Sequence, residues 1–315
     1  MSAPRRPPPR RRVDGVLLLD KPSGVTSNGA LMRVKRLYNA QKAGHTGTLD
    51  PLASGLLPIC FGAATRFAQF LLDASKRYTA IARFGVTTTT LDAEGDVVAS
   101  RPVTFDRDAL LGALARFTGP RVQIPPAHSA LKFKGRPYYD YARKGIDFPR
   151  APREITIHSL ELTEWNAPDA ILDVECSKGT YIRVLVDELG EALGCGAHLA
   201  ALRRTGSGGF SVRDAVSLDA LHSMDAEALQ RCLQSIDAPL ASMQRLDVDV
   251  DTSTALVQGR RPATTTHDGT YRVYESARFL GVAESIAGRL QVARLVPAPL
   301  ASRESIASDA DASHR

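Results

Sequence analysis

Residues 44–55 read Gly-His-Thr-Gly-Thr-Leu-Asp-Pro-Leu-Ala-Ser-Gly and are the densest local signal in the chain. The glycines, the proline and the threonines predict a rigid loop that carries His45 and Asp50 ahead of the apolar run beginning at Leu56. Catalytic groups concentrate on loops framed in this way. An aspartate before a proline is also an ordinary turn signal, so the stretch by itself leaves both a catalytic loop and a plain turn open.

The segments before this loop predict a strand, a turn and a helix. Residues 15–19 (Gly-Val-Leu-Leu-Leu) favour a buried strand, and residues 21–24 (Lys-Pro-Ser-Gly) favour a turn. A helix is expected to begin near Ser27, whose hydroxyl can cap it. The apolar spacing gives this helix one buried face, formed by Leu31, Val34 and Leu37.

The segments after the loop add strands and a second helix. Residues 77–86 and 171–176 alternate between apolar and polar side chains, as half-buried strands do. Helical spacing returns at residues 182–193, and Gly194 supplies the signal that ends a helix. Because strands and helices mix without a regular βαβα order, the pattern favours an α+β fold over a doubly wound parallel sheet.

Length and charge limit the possible partners. The chain has 315 residues, 43% of them hydrophobic, which suffices for one large domain or for a large and a small one. Five arginines of residues 1–12 supply most of the net charge of +6, and the remainder holds 35 basic and 34 acidic residues. Any nucleic-acid surface on the folded part must therefore be local. With neither a long apolar run nor a secretory signal, we expect no membrane association and a cytoplasmic location.

Several kinds of site are disfavoured by the motifs that are missing. The four cysteines lie far apart with no C-x-x-C pair and no histidine at zinc-ligand spacing, so we expect reduced, mostly buried thiols and no metal. The chain has neither a phosphate-binding G-x-x-x-x-G-K-[ST] loop nor a G-x-S-x-G elbow. Gly194-Cys195-Gly196 lacks the third glycine of a dinucleotide-binding motif. No cofactor is expected.

Residues 123–150 alternate basic and aromatic side chains. Cations suit phosphates and flat rings suit bases, so this composition can form a surface for single-stranded RNA. It equally fits a solvated loop whose tyrosines pack against each other. The residues concerned are Lys132, Lys134, Arg136, Arg143 and Lys144 with Phe133, Tyr138, Tyr139 and Tyr141.

The two ends of the chain differ from its middle. Residues 1–12 hold four prolines and five arginines, so they predict a disordered basic arm. After about residue 245, short apolar runs separated by Gly, Asp and Ser predict a small β-rich domain at residues 246–300. Residues 301–315 are rich in Ser, Ala and Asp and predict a disordered tail. Residues 13–245 are left for the main domain.

An ordered set of motifs in this main domain resembles the TruB family of pseudouridine synthases. The resemblance is strong over residues 13–215, and an ordered set is far more specific than any single motif. It implies a mixed, largely antiparallel central sheet with flanking helices, an RNA-binding insertion near residues 123–150 and a PUA-like C-terminal domain. The motifs lie at residues 15–24 (GVLLLDKPSG), 43–55 (AGHTGTLDPLASG), 76–78 (KRY), 129–132 (SALK), 177–183 (SKGTYIR) and 198–204 (HLAALRR).

The resemblance implies an activity that needs no cofactor. Enzymes of this family act on uridine-55 in the T arm of tRNA. They break the bond between the ribose and N1 of the uracil, rotate the uracil and rejoin it to the ribose through C5. Asp50 matches the family's essential aspartate, and Arg183 is expected to pair with it and keep it ionised. Tyr78 resembles the tyrosine that stacks on the target base and helps to remove the C5 proton. Tyr181 matches a second active-site tyrosine.

The same resemblance implies RNA-binding roles. His45 matches the residue that fills the gap left by the extruded base, and Leu202 matches a leucine beside that base, although the local pattern favours a helix there. His128 stands where the family usually has an aromatic residue. Four basic residues are candidate RNA contacts, although the last two could equally be structural or solvated: Lys132, Arg143, Lys178 and Lys21.

Two hypotheses remain open on the sequence. The first is a tRNA isomerase in which Asp50 is the catalytic carboxylate. The alternative is a non-catalytic tRNA-binding or folding module, although binding alone has no need for that carboxylate. We expect tRNA as the partner, no obligatory protein partner, and a monomer. A nucleotide-dependent enzyme on a Rossmann-like fold is disfavoured, because its glycine motif is missing.

Overall fold

The computed structural model describes residues 9–297, which divide into two compact units at the junction between Ala241 and Ser242. The strands of the first unit are β1 Gly15–Lys21, β2 Ala43–His45, β3 Ser54–Phe61, β4 Lys76–Phe84, β5 Val86–Thr88, β6 Val97–Ser100, β7 Gly119–Gln123, β8 Lys132–Phe133, β9 Arg136–Pro137, β10 Arg153–Asn166, β11 Asp169–Cys176, β12 Ala197–Ser207, β13 Phe210–Ser211, β14 Val216–Ser217 and β15 Leu233–Gln234. Its helices are α1 Ser27–Leu37, α2 Ala68–Asp73, α3 Arg107–Phe117, α4 Tyr138–Ala142, α5 Ile182–Ala192, α6 Leu218–His222 and α7 Ala226–Arg231, with short 3-10 turns at Gly62–Arg66, Val212–Asp214 and Ala238–Leu240.

One large sheet organises the first unit. Its main path runs β14-β1-β3-β12-β4-β11-β10-β7, with β2, β13 and β15 attached at the sides. The contacts of β1 with β14 and of β3 with β12 are parallel, and the other pairings in this sheet are antiparallel. The expected α+β fold with a mixed, largely antiparallel sheet is therefore confirmed.

The predicted strands around the loop are present. β1 is buried on both faces: Leu17 and Leu19 join the main core, whereas Val16 and Leu18 join a smaller cluster on the opposite face. β4 alternates as predicted and turns Tyr78 toward the main core, but it ends at Phe84, two residues earlier than the alternation suggested. Both strands thus lie in the middle of the sheet, beside the candidate site.

The first helix begins where predicted but has a different cap. The Thr26 side chain accepts a hydrogen bond from the Gly29 N–H at 3.0 Å, so Thr26 is the N-cap of α1. Ser27 instead turns its hydroxyl toward Leu49 in the Asp50 loop. Helix α5 ends at Ala192 with Leu193 as its C-cap, and Gly194 follows at φ +83°, as predicted.

The helix suggested around Leu202 is wrong, because this residue lies in strand β12. Antiparallel pairing with β4 runs from Ala197 to Ser207. These long-range hydrogen bonds override the helical preference of the Leu- and Ala-rich segment, since local propensity is a weak bias against tertiary pairing.

The insertion at residues 123–150 contains the β8–β9 hairpin and α4. Four of its aromatic rings pack together with centroids 4.7–6.1 Å apart: Phe133, Tyr138, Tyr141 and Phe148. The rings therefore pack locally, which was the second reading of this segment. Lys132, Lys134, Arg136, Arg143 and Lys144 nevertheless remain exposed.

The ends of the chain depart in part from the expected disorder. The backbone of Arg11 forms an isolated β-bridge with Ala40, and its side chain donates a hydrogen bond to the Tyr38 carbonyl at 3.0 Å. The expected arm of residues 1–12 is therefore anchored at its C-terminal end. Residues 1–8 and the predicted tail at 301–315 lie outside the described residues. Between residues 9 and 297, no helix is long and apolar enough to cross a membrane.

The second unit is β-rich, as predicted. Its elements are β16 Arg245–Asp247, α8 Val250–Val257, β17 Gly269–Glu275, β18 Arg278–Ile286 and β19 Arg289–Leu295, and the four strands form one sheet in that order. Leu256 of α8 packs with the sheet residues Val273, Leu280, Ala283 and Leu290 to form a separate core. The helix α8 was not expected from the sequence.

Candidate active site

A cavity of about 330 Å³ lies over the middle of the large sheet. This volume is within the roughly 300–1,000 Å³ typical of small-molecule sites. The four residues expected to be catalytic all line it, together with Leu202: Asp50, Tyr78, Tyr181 and Arg183. These residues come from three strands or loops and one helix, so only the fold brings them together.

The Asp50 loop is held from both sides by hydrogen bonds. On one side, the Ser27 hydroxyl donates to the Leu49 carbonyl at 2.9 Å and accepts from the Leu49 N–H at 2.7 Å. On the other side, the Gly24 N–H donates to the Pro51 carbonyl at 2.8 Å. Because the residues before and after Asp50 are clamped, its carboxylate is presented from a rigid frame, as precise chemistry requires.

Gly55 lets β3 approach β12 at the end of this loop. A Cβ at Gly55 would lie 2.3 Å from the Arg204 carbonyl oxygen, and its φ of +100° disfavours other residues. The nearby Arg204 side chain is buried and donates to the carbonyls of Leu56 at 2.6 Å and Gly47 at 3.1 Å. Arg204 thus ties both ends of the loop to β12.

Arg183 connects two carboxylates beneath the cavity. Its Nη2 lies 3.2 Å from Oδ2 of Asp50, and its Nη1 lies 3.7 Å from Oδ2 of Asp92. Nη2 also donates to the His128 carbonyl at 2.7 Å. The expected ion pair with Asp50 is therefore present. Arg183 and Asp92 are almost fully buried, whereas the Asp50 side chain keeps 38% of its surface open to the cavity.

The environment of Asp50 shifts its acidity. Burial raises the pKa of the Asp50 carboxyl above its usual value, because the surrounding protein removes water from the charged form. The positive charge of Arg183 opposes this shift, and the negative charge of Asp92 adds to it. Arg183 thus stabilises the ionised form of Asp50 in a setting that otherwise favours protonation.

The two tyrosines are held by different means. Tyr78 points from β4 into the cavity, and burial raises the pKa of its hydroxyl, a shift that Arg204 partly opposes. Tyr181 precedes α5, and Gln123 clamps its backbone by donating to its carbonyl at 3.1 Å and accepting from its N–H at 2.8 Å. Burial raises the pKa of Tyr181 as well. Both phenols are neutral near pH 7.

Lys21 and Lys76 act as internal supports beside the cavity. Lys21 is fully buried and donates to the carbonyls of Pro22 at 2.9 Å and Val25 at 2.6 Å, so the RNA contact suggested for it is not available. Lys76 lines the cavity and donates to the carbonyls of Leu72 and Ala74. Burial lowers the pKa of each lysine to about 8.

The remaining RNA-contact candidates lie around the cavity. His45 is on β2, two residues before the cavity wall begins at Gly47, and its Nδ1 is buried without a hydrogen-bond partner in the described part of the chain. Burial lowers the pKa of His45. Lys178 is exposed and pairs with Asp73 at 2.7 Å. Lys132 and Arg143 are exposed on the insertion and do not line the cavity.

Sequence reasoning missed four buried residues that shape the site. Asp92 sits in a stretch with the composition of an ordinary turn, and Arg204 belongs to an Arg-Arg pair that suggests an exposed surface. Gln123 and Lys76 carry no local signal of burial either. Asp92, Gln123 and Arg204 have partners far away along the chain, and Lys76 turns back to carbonyls at the end of α2, so only the folded structure identifies their roles. Lys76 and Arg204 lie in motifs noted in the sequence, at residues 76–78 and 198–204, and Gln123 begins the basic and aromatic segment, but none of the three had been assigned a role.

Comparisons with known proteins agree with this geometry. The fold aligns with a solved Cbf5-Nop10-Gar1 complex at a TM-score of 0.69 and 25% identity, over 90% of this chain and 85% of that one. Sheet and cavity together define the class as a pseudouridine synthase. Three family models cover residues 35–182 (TruB family pseudouridylate synthase, N-terminal domain), 183–241 (tRNA pseudouridylate synthase B C-terminal domain) and 245–296 (pseudouridine synthase II TruB, C-terminal). The chain belongs to the TruB family.

Similar proteins include two named tRNA pseudouridine synthase B. The one from Burkholderia lata is 50% identical over 303 residues, which cover 94% of each chain. The one from Azoarcus sp. (strain BH72) is 51% identical over 289 residues, covering 91% of this chain and 96% of the relative.

Proposed function

We propose that this protein converts uridine-55 in the T arm of tRNA to pseudouridine, with Asp50 as the catalytic carboxylate. The observation that carries the proposal is the ion pair of Asp50 with the buried Arg183 in the wall of a base-sized cavity. Relatives about half identical over nearly the whole chain, named tRNA pseudouridine synthase B, support tRNA as the substrate. We place the reaction in the cytoplasm, with no protein partner.

The reaction breaks one bond and makes another within a single nucleotide. The bond between ribose and uracil N1 is cleaved, the uracil turns, and a new bond forms from the ribose to C5. C5 then loses its proton and N1 takes one up, so the composition of the nucleotide is unchanged. A carboxylate beside the sugar serves such a reaction as a nucleophile or as a base. Asp50 suits this task because Arg183 keeps it ionised and oriented while its outer face stays open to the cavity.

The other cavity residues would hold the uracil. We assign Tyr78 to stacking against the base and to the loss of the C5 proton, and Leu202 and Tyr181 to its remaining contacts. Since burial raises the pKa of Tyr78, its hydroxyl is neutral, and it can take up the C5 proton only as its own proton passes to water, from which N1 regains one. The target base can enter the cavity only after its nucleotide has been extruded from the T loop, which costs a few kcal/mol. We assign His45 to filling the gap.

Pseudouridine mapping on an unmodified tRNA transcript tests this proposal. The purified chain alone is expected to produce pseudouridine at position 55 and nowhere else. A transcript with cytidine at that position is the control and should remain unmodified. Absence of pseudouridine, or its formation elsewhere in both transcripts, would overturn the assignment.

A further inference from the structure

A second and larger cavity continues from the first. This groove has a volume of about 1180 Å³, and it shares Leu72, Ser177 and Gly179 with the wall of the candidate active site. Its remaining wall comes from α2, β7, the start of β10 with the two residues before it, and Lys178. A polymer whose target nucleotide enters the smaller cavity can therefore extend into this groove without leaving the protein surface.

The cations along this groove differ in whether they already have partners. Arg121 pairs with Glu188 at 3.1 Å, and Lys178 pairs with Asp73 at 2.7 Å. Arg153 has neither an ion pair nor a hydrogen-bonded side chain within residues 9–297. Its guanidinium can therefore bind an external anion without breaking an ion pair or a hydrogen bond.

Arg153 lies where the two cavities meet. It is the first residue of β10, and its guanidinium carbon is 5.9 Å from the centre of the Tyr181 ring. On the groove side it passes Gly179, where a Cβ would approach Nη1 of Arg153 to 3.2 Å. The missing side chain at Gly179 leaves room for the arginine between the groove and the base-sized cavity.

The wall of the groove also offers apolar surface. Val122 is 64% exposed on the edge strand β7, and Leu72, Pro120 and Pro152 line the same space. A cation next to apolar surface suits a strand that alternates phosphates with riboses and bases. A free anion would use only the cation, and an uncharged protein strand would use only the apolar surface.

We propose that Arg153 binds the phosphodiester next to the target nucleotide and that this groove holds the RNA strand adjoining it. The inference rests on the proposed function and assigns a binding residue to it. Arg153 makes no contact with Asp50 in the structure, so its contribution is to substrate binding. A guanidinium and a phosphate form a two-pronged, charge-assisted hydrogen bond, which a lysine reproduces only as a point charge.

The test compares Arg153→Gln and Arg153→Lys with a matched control, Arg83→Gln. Arg83 is half-exposed, pairs with Asp169 and lines neither cavity. The Arg83→Gln substitution therefore removes the same charge at a place away from the groove. Binding of an unmodified tRNA transcript is measured over a range of salt concentrations, together with KM and kcat for pseudouridine formation. We expect Arg153→Gln to weaken tRNA binding roughly tenfold and to raise KM more than it lowers kcat. The slope of the logarithm of the binding constant against the logarithm of the salt concentration should decrease in magnitude by about 0.7–0.9.

The conservative variant and the control decide the interpretation. Arg153→Lys should restore the salt slope and part of the affinity, and Arg83→Gln should behave as wild type. Wild-type affinity and slope in Arg153→Gln, or an equal loss in Arg83→Gln, would overturn the inference. If wild type forms no pseudouridine, the proposed function fails, yet the binding and salt measurements still decide the role of Arg153.

Discussion

Arg183 holds two carboxylates of unequal exposure, and this arrangement determines the acidity of Asp50. Asp92 is buried with the arginine, whereas Asp50 faces the cavity. Two negative charges near one positive charge leave the outer carboxylate incompletely neutralised. We therefore expect Asp92 to govern the pH at which Asp50 becomes active.

Replacing Asp92 by asparagine removes a negative charge that raises the pKa of Asp50. If ionised Asp50 is the active form, the acid-side inflection of kcat/KM should move to lower pH in Asp92→Asn, even where the maximal rate falls. The pH profile of pseudouridine formation measures this shift, and Asp169→Asn serves as the control, since Asp169 is a half-buried carboxylate that pairs with Arg83 away from the cavity. An inflection that stays in place or moves upward would count against this role of Asp92.

The raised pKa of Asp50 also affects stability. A carboxyl that holds its proton more tightly in the folded state makes folding less favourable as pH rises through its folded pKa. Asp50→Asn, which cannot ionise, should therefore melt above wild type at pH 7, and the difference should shrink toward pH 3.8, the ordinary aspartate value. Thermal melting of both proteins between pH 3.8 and pH 7 measures this difference in melting temperature. A variant that melts below wild type at pH 7 would contradict the pKa shift.

At the scale of elements, the contact of β3 with β12 frames the Asp50 loop. Gly55→Ala should lower the free energy of unfolding by about 3 kcal/mol, since overpacking adds to an unfavourable φ. Activity should fall with it, because Arg204 would move away from the loop carbonyls. Gly145→Ala is the matched control, since Gly145 has φ +63° but open space around a Cβ. Urea unfolding measures both, and equal losses would show that the close approach is unimportant.

The sequence predicted the strands and helices that leave a periodic pattern within their own segment. It missed those that depend on pairing with residues far away in the sequence. The alternation in β4 and the helical spacing and terminal glycine of α5 were sufficient, because burial on one face leaves a periodic pattern. Strand β12 was missed because its pairing with β4 outweighs its composition. For the site, the resemblance to a family indicated Asp50 and Arg183, but no pattern revealed that Asp92 shares the arginine.

At the scale of the whole molecule, the two units have separate cores, and we propose that residues 246–300 form the RNA-binding, PUA-like domain. Exposed arginines of this unit include Arg260, Arg261 and Arg289. A chain truncated after Ala241 should therefore fold and form pseudouridine at saturating tRNA, but bind tRNA more weakly and with a smaller salt slope. Titration of tRNA at several salt concentrations measures the loss. Unchanged affinity would show that the second unit does not contact tRNA.

The most direct test of the central claim compares wild type with Asp50→Asn in a single turnover on unmodified tRNA, with tRNA binding followed in parallel. Asparagine keeps the shape of the side chain but removes its charge. We expect both proteins to bind tRNA and only wild type to form pseudouridine at position 55. Pseudouridine formation by Asp50→Asn at the wild-type rate, or its absence in both proteins despite binding, would contradict a catalytic role for Asp50.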